Sequence, residues 1–305
     1  MRKNITMSHI PVLLHESIAG LNLKPDGFYI DGTFGRGGHS RAILSQLSEH
    51  GRLWAFDKDL SAKTASMSFS DDPRFRFIHD SFSKITSHVS TQKVDGILLD
   101  LGVSSPQLDT PERGFSFRQE GPLDMRMDQS SGETVAELLT HISEEALADI
   151  LFTYGEEKFA RKIAKAILAA QKSEPLTTTT QLQAIIASAL PFREKHKDPA
   201  TRTFQALRIF INRELQDLSD FLASMPPLLN SGGRVAIITF HSLEDRLVKQ
   251  AFQRLTKETL PLRGLPIRST PPTFISVAQK VKPSDAEEDS NIRSRSALLR
   301  VIEKR

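Results

Sequence analysis

The 305-residue chain contains no cysteine. Disulfide scaffolds, thiolate zinc sites, iron–sulfur clusters and Cys nucleophiles are therefore excluded, and any catalysis must use other groups. No run approaches the ~18 apolar residues of a membrane span. Residues 1–9 have no apolar stretch behind their charges and do not read as a secretory signal, so a cytoplasmic protein is expected. No internal repeat is visible. Hydrophobic residues make up 39% and charged residues 25%, with 16 Gly and 16 Pro. That composition excludes collagen, wholesale disorder and coiled coil, and leaves one large α/β domain or two domains.

Charge is present but unevenly placed. The net value is +3, yet residues 156–213 carry 11 Lys/Arg against 5 Asp/Glu and residues 246–305 carry 13 against 6. Elsewhere 16 basic residues face 26 acidic ones. One part of the chain thus suits a polyanion, unless its charges are simply solvated helix faces.

Apolar runs at 28–30, 52–56, 75–79 and 94–99 read as strands, with a helix at 40–47. Alternation of strand and helix predicts a parallel sheet, wound right-handed into an open Rossmann-like arrangement with sites at the strands' carboxyl ends. From Thr110 the pattern changes. A Gly/Pro-punctuated stretch runs to Gly132, and helical periodicity then covers 133–139, 144–152, 160–171 and 180–190. Beyond it we expect one long amphipathic helix at 206–222, a turn at Gly232-Gly233, a strand at 234–240 and a helix at 242–255. The stretch with Pro261, Pro266, Pro271, Pro272 and Pro283 and the acidic run 285–289 reads as loop, either functional flap or disordered. Residues 296–302 read as a final strand returning to the sheet. The domain reading is 1–111 and 203–305 as two parts of one sheet domain, with 112–202 as an inserted helical domain between the fourth and fifth strands.

Asp31-Gly32-Thr33-Phe34-Gly35-Arg36-Gly37-Gly38-His39 lies between a strand and a helix. There glycines let backbone approach a ligand, and helix N–H groups face it. A dinucleotide fingerprint places glycine at 35, 37 and 40, but Ser40 fills the third position. Rossmann-type methyltransferases favour an acidic strand end with glycine two, four and six places later. Here those are Asp31, then Thr33, Gly35 and Gly37. Asp57 closes the second strand ~20 residues beyond the loop, where a carboxylate can accept both ribose hydroxyl protons of a nucleoside. Phe82 follows the third strand, either as an adenine cover or as ordinary core. The fourth strand delivers Asp100 into the polar loop Gly102-Val103-Ser104-Ser105-Pro106-Gln107.

These blocks resemble the bacterial ribosomal RNA small subunit methyltransferase H family. So do Arg113-Gly114-Phe115-Ser116-Phe117, Gly121-Pro122-Leu123-Asp124-Met125-Arg126-Met127, Tyr154-Gly155-Glu156-Glu157, Ala200-Thr201-Arg202-Thr203-Phe204-Gln205-Ala206-Leu207-Arg208-Ile209 and Phe240-His241-Ser242-Leu243-Glu244-Asp245-Arg246. Seven blocks in order cover the chain from about His9 to Arg300. The resemblance implies a Rossmann-like class I methyltransferase sheet with an inserted all-helical domain. It implies transfer of a methyl group from S-adenosyl-L-methionine (AdoMet) to the exocyclic N4 of a cytidine, in small-subunit ribosomal RNA or the assembled 30S subunit. By position, Gly37, Gly38 and His39 would line the methionine end of AdoMet, Asp57 would hold the ribose, Phe82 would pack on the adenine side, and Asp100 and Gln107 would complete the pocket. The chain departs from the family mainly in the stretch 261–283. A homodimer is compatible with the chain, though no periodic seam calls for one.

Asp100 and the carbonyls of residues 102–105 are the candidate acceptors of the cytosine amino hydrogens, with Asp100 as the catalytic group. Absence of a thiol agrees with a nitrogen acceptor, since carbon-5 methylation of cytosine ordinarily uses a Cys adduct. Phe115, Phe117, Met125 and Met127 form either part of a grip on an extruded base or a hydrophobic seam between the two domains. Arg193, Lys195, Lys197, Arg202, Arg293 and Arg295 are the candidate phosphate contacts. His241-Ser242-Leu243-Glu244-Asp245 lacks a nucleophile elbow and reads as a strand-to-helix turn with Ser242 as N-cap. Two other classes share parts of this pattern: a nicotinamide-dependent oxidoreductase, and a catalytically silent RNA-binding assembly factor.

Overall fold

The structure is a computed structural model and describes residues 11–190, 198–258 and 271–305. Among the described residues seven strands form one sheet: β1 Phe28–Asp31, β2 Arg52–Asp57, β3 Phe75–His79, β4 Val94–Asp100, β5 Leu229–Thr239, β6 Phe274–Val281 and β7 Leu298–Lys304. Their order across the sheet is β3-β2-β1-β4-β5-β7-β6. The first five pair in parallel, and β7 enters antiparallel between β5 and β6. The order reverses between β1 and β4, so their carboxyl ends border the crevice where open α/β sheets bind ligands.

Both faces of the sheet are covered. On one, Ile30, Phe56, Ile97, Leu99 and Ile237 pack with Phe221, Leu222 and Val248 of flanking helices. On the other, Tyr29, Leu53, Ala55, Leu98 and Ile238 pack with Leu13, Leu21 and Ile43. Central strands buried on both sides carry the near-continuous apolar runs seen in β1 and β4.

The chain divides into two compact units. One is Met1–Gly102 with Gln216–Arg305 and carries the sheet; the other is Val103–Leu215 and is helical. The helical unit contains Val135–His141, Glu144–Gly155, Ala160–Ser173, Thr179–Ala189 and Thr201–Ile211. Its core holds Leu138, Leu147, Leu151, Ile163, Ile167, Leu182, Ile186 and Leu207. Thr134 and Thr178 start two of these helices with reciprocal capping boxes to Glu137 and Gln181.

Four expectations are corrected. The long helix at 206–222 is two helices, Thr201–Ile211 and Glu214–Ser224. Asn212 accepts the Met127 N–H at 2.7 Å and donates to the Met125 carbonyl at 2.7 Å, and Arg213 adopts φ 53. Those buried side-chain bonds outweigh the helical periodicity. Gly232-Gly233 does not end a segment but lies inside β5, where Val94 pairs with Leu229 and Gly96 with Arg234. The extra residues on β5 form a bulge, and Gly232 supplies its φ of 75. The Pro-rich stretch is not all loop, because Phe274–Val281 is the edge strand β6 and Asp285–Ser290 a short helix. Ser242 is the first residue of helix Ser242–Thr256; the N-cap is His241, with Glu244 completing a capping box.

Candidate active site

The loop after β1 is laid across the carboxyl edge of three strands. Asp31 is 1% exposed; its Oδ2 accepts the Ser40 hydroxyl at 2.7 Å and its Oδ1 accepts the Thr33 N–H at 3.2 Å. The carboxylate thereby ties the end of β1 to the first turn of helix Gly38–Leu44. On the β4 side, Gly32 N–H donates to the Leu98 carbonyl at 2.8 Å, and the Thr33 hydroxyl accepts the Asp100 N–H at 2.6 Å. On the β2 side, Phe34 N–H donates to the Phe56 carbonyl at 2.9 Å and Gly35 N–H to Asp57 Oδ2 at 2.7 Å. The buried Phe34 ring packs edge-on against Phe69 and Phe77 and anchors the loop from below. Gly35 has φ +52, and a Cβ there would meet nothing within 4 Å, so the loop presents an open face.

Asp57 also accepts the Asp59 N–H at 2.9 Å, while Asp59 caps the next helix through Ser61 N–H at 2.8 Å. Phe82 sits in a short turn, Phe82–Lys84, started by Ser81, and packs edge-on to Phe221 at 5.9 Å. Asp100 keeps 25% of its side-chain surface exposed, and His39 Nδ1 stands 3.7 Å from its Oδ2. Its Oδ1 is enclosed without a hydrogen-bond partner among the described residues. Gly37 precedes helix Gly38–Leu44 in the left-handed region, and Gly38 lies so close to Pro11 that a Cβ would overlap the ring.

Electrostatically the site gathers acidic groups, with Lys58 beside Asp57 as a nearby cation. Burial pushes the Asp31 and Asp57 carboxyls up to about 6. Burial raises Asp100 well above the usual carboxylate range, and repulsion from Asp31 and Glu244 adds to it. Glu244 is 2% exposed and accepts the Phe240 N–H at 2.8 Å and the His241 N–H at 3.3 Å. Three strand tips therefore crowd carboxyl groups together, an arrangement complementary to a cationic ligand carrying hydroxyl groups.

Of the residues expected from sequence, the sheet unit brings Gly37, Gly38, His39, Asp57, Phe82 and Asp100 to the ends of β1 to β4. Gln107 belongs to the helical unit, where it is 4% exposed and its Oε1 accepts the Ser104 N–H at 2.8 Å. Phe115, Met125 and Met127 are buried, and Phe117 packs edge-on against Phe204 at 4.8 Å. Met125 belongs to the core of the helical unit, and Phe117 packs against that core. Arg202 stands 3.8 Å from Glu157. Arg295 is exposed and Arg293 partly so. Arg193, Lys195 and Lys197 lie outside the described residues. Sequence reading missed Thr33 and Glu244. Thr33 occupies a position where a glycine was looked for, and its hydroxyl is what links β1 to β4. The signal for Glu244 was its place three residues after a strand-to-helix turn, the N3 position of a capping box.

The sequence model of the MraW methylase family matches residues 6–305. A protein of Pseudoalteromonas atlantica named ribosomal RNA small subunit methyltransferase H is 50% identical over 305 residues, covering 97% of this chain and 98% of its own. A protein of the same name from Legionella pneumophila is 52% identical over 303 residues, with the same coverage. Among solved structures, a putative rRNA-methylase from Clostridium thermocellum aligns with a TM-score of 0.46 at 13% identity, covering 98% of this chain and 100% of that one.

Proposed function

The chain belongs to the MraW methylase family, and we propose that it is an AdoMet-dependent methyltransferase acting on the exocyclic N4 of a cytidine in small-subunit ribosomal RNA. The observation that carries this reading is half-identity, over nearly the whole of both chains, to relatives named ribosomal RNA small subunit methyltransferase H. No helix among the described residues is long and apolar enough to cross a membrane.

The residues at the carboxyl edge fit AdoMet on three counts. The open face of Gly35 admits a ligand against backbone. The Asp57 carboxylate, steadied by two backbone N–H groups, keeps lone pairs for ribose hydroxyls. The enclosed Asp100 oxygen and the raised carboxyls call for a cation. When bound, AdoMet supplies an electrophilic methyl group on a sulfonium. Gly37, Gly38 and His39 would hold its methionine end, Asp57 its ribose, and Phe82 its adenine side.

The protein's own part is orientation and charge. Cytosine's amino lone pair is conjugated into the ring, so an acceptor on its N–H raises nucleophilicity and takes up the positive charge that develops on nitrogen. Asp100 is that acceptor in our reading. Burial gives its carboxylate a high proton affinity, which suits a group that must receive the amino proton. Thr33 fixes the backbone of Asp100, so the acceptor is held before substrate arrives.

The helical unit is proposed to contact RNA. Helix Ala160–Ser173 exposes Arg161, Lys162, Lys165 and Lys172 and contains no acidic residue. A run of cations on one element is the electrostatic footprint expected of a phosphate-binding surface. Titration calorimetry tests the cofactor assignment: AdoMet should bind with one site per chain, and binding of NAD without binding of AdoMet would overturn it.

A further inference from the structure

We propose that Asp217 is a positioning residue for the nucleoside half of the AdoMet site, an inference that rests on the cofactor reading above. Asp217 lies on helix Glu214–Ser224 with a side chain 12% exposed. Its Oδ2 accepts Lys58 Nζ at 2.7 Å and the Ser81 hydroxyl at 2.8 Å, and its Oδ1 accepts the Ser83 hydroxyl at 3.4 Å. These partners come from two loops. Lys58 follows Asp57 at the tip of β2, and Ser81 precedes Phe82 beyond the tip of β3. One carboxylate thus joins the two loops that carry the proposed ribose and adenine contacts.

The attachment is more than a single bond. Ser81 accepts the Ser83 N–H at 3.2 Å and so starts the turn that carries Phe82. Fixing Ser81 fixes that turn. Phe82 then packs edge-on against Phe221, which is four residues beyond Asp217 and on the same face of the helix. A polar and an apolar contact from one helix therefore hold the β3 loop. A further bond ties the loops directly, between His79 Nε2 and the Lys58 carbonyl at 3.0 Å.

Charge adds a second effect. The Lys58 ammonium is close enough to draw the Asp57 carboxyl downward against burial. Asp217 holds that ammonium at hydrogen-bond distance, which leaves Asp57 to accept hydroxyl groups. With Asp217 neutral, Lys58 is released toward the carboxyl groups at the tip of β2, Asp57 among them. The ribose acceptor would then be occupied by the protein's own cation, and the two loops would lose their common anchor.

Calorimetry on purified full-length protein tests this with two ligands, S-adenosylhomocysteine and its 2′-deoxyribose analogue. Wild type should bind the analogue more weakly, because Asp57 loses a hydroxyl partner. In Asp217→Asn, which keeps the side chain's shape, the dissociation constant for S-adenosylhomocysteine should rise about tenfold and the penalty for the missing hydroxyl should shrink to under twofold. kcat at saturating AdoMet should stay within about twofold of wild type while KM for AdoMet rises. A penalty equal to that of wild type, or an unchanged dissociation constant, would overturn the role of Asp217 alone. Failure of wild type to bind either ligand would overturn the cofactor reading beneath it. If Asp217→Asn does not fold, Ser81→Ala removes the Ser81 bond to Asp217 together with the Ser83 N–H cap and keeps the ion pair. It should give a rise of about threefold with a reduced penalty, and wild-type values there would equally overturn the proposal.

Discussion

His39 Nδ1 stands 3.7 Å from Asp100 Oδ2, so the first turn of helix Gly38–Leu44 faces the tip of β4. The distance is too long for a hydrogen bond and short enough for charge to be felt. Asp100 is thus held by its backbone, through Thr33, while its side chain stays available on the open side of the cluster.

Asp100→Asn removes the charge and keeps the shape. Because burial disfavours the ionised form, the unliganded variant should melt higher than wild type at pH 8, with a gain of about 2–4 °C for each 1 kcal/mol of relieved desolvation. The gain should be smaller at pH 5 than at pH 8, because lower pH favours the protonated form of the wild-type carboxyl. Methyl transfer should fall by roughly 100-fold or more, the scale of a lost general base. Thermal melts at the two pH values and a turnover assay check both halves. Stability unchanged at pH 8 would contradict the desolvation argument.

Asp31 gives a pH signature of opposite sense to the usual stabilising carboxylate. Its folded value is about 6 against the ordinary 3.8, so the folded chain binds more protons than the unfolded chain between those limits. Its contribution is therefore most favourable below pH 3.8 and is lost as pH rises to 6, by roughly 3 kcal/mol in all. Asp31→Asn should flatten the stability profile between pH 4 and 6, read as denaturant midpoints across that range. A slope identical to wild type would show that Asp31 titrates normally.

Gly35→Ala separates fold from ligand. With φ +52, a side chain there costs about 1–2 kcal/mol of backbone strain. Because the added methyl points into open space, the variant should fold with a modestly lower melting temperature. AdoMet affinity should fall by tenfold or more, since the methyl enters the face left for the ligand. Equal AdoMet affinity in variant and wild type would move the cofactor away from this loop.

Changing Arg161, Lys162 and Lys165 together to Gln should weaken binding to small-subunit RNA without altering AdoMet affinity. The dependence of log K on log salt should become shallower by about 0.7 for each lost contact to a single strand. Filter binding at several salt concentrations reads this directly. An unchanged slope would remove helix Ala160–Ser173 from the RNA surface.

Much of the sheet was legible because β1, β2 and β4 carry dense apolar runs that end at Asp31, Asp57 and Asp100. Strand ends with a carboxylate and glycines beyond them announce a loop at a carboxyl edge. Where side chains settle the local geometry, the sequence was silent. The helix break at Asn212 depends on bonds to Met125 and Met127, more than eighty residues away. The edge strand β6 exposes Ile275 and Val277 and follows prolines, so it lacks the buried pattern of a central strand. Asp217 reads as a polar position on an amphipathic helix, and its partners at 58, 81 and 83 are brought to it only by the fold. Thr33 looked like a missing glycine, and only the Asp100 N–H explains its hydroxyl.

The most direct test of the account uses small subunits from cells lacking this gene, incubated with the purified protein and methyl-labelled AdoMet, then digested to nucleosides for mass spectrometry. The account predicts label in N4-methylcytidine from small-subunit RNA, with an initial rate lower by roughly 100-fold or more when Asp100→Asn replaces wild type. Label at carbon 5 of cytosine, label on another base, or no transfer by the wild-type protein would contradict it.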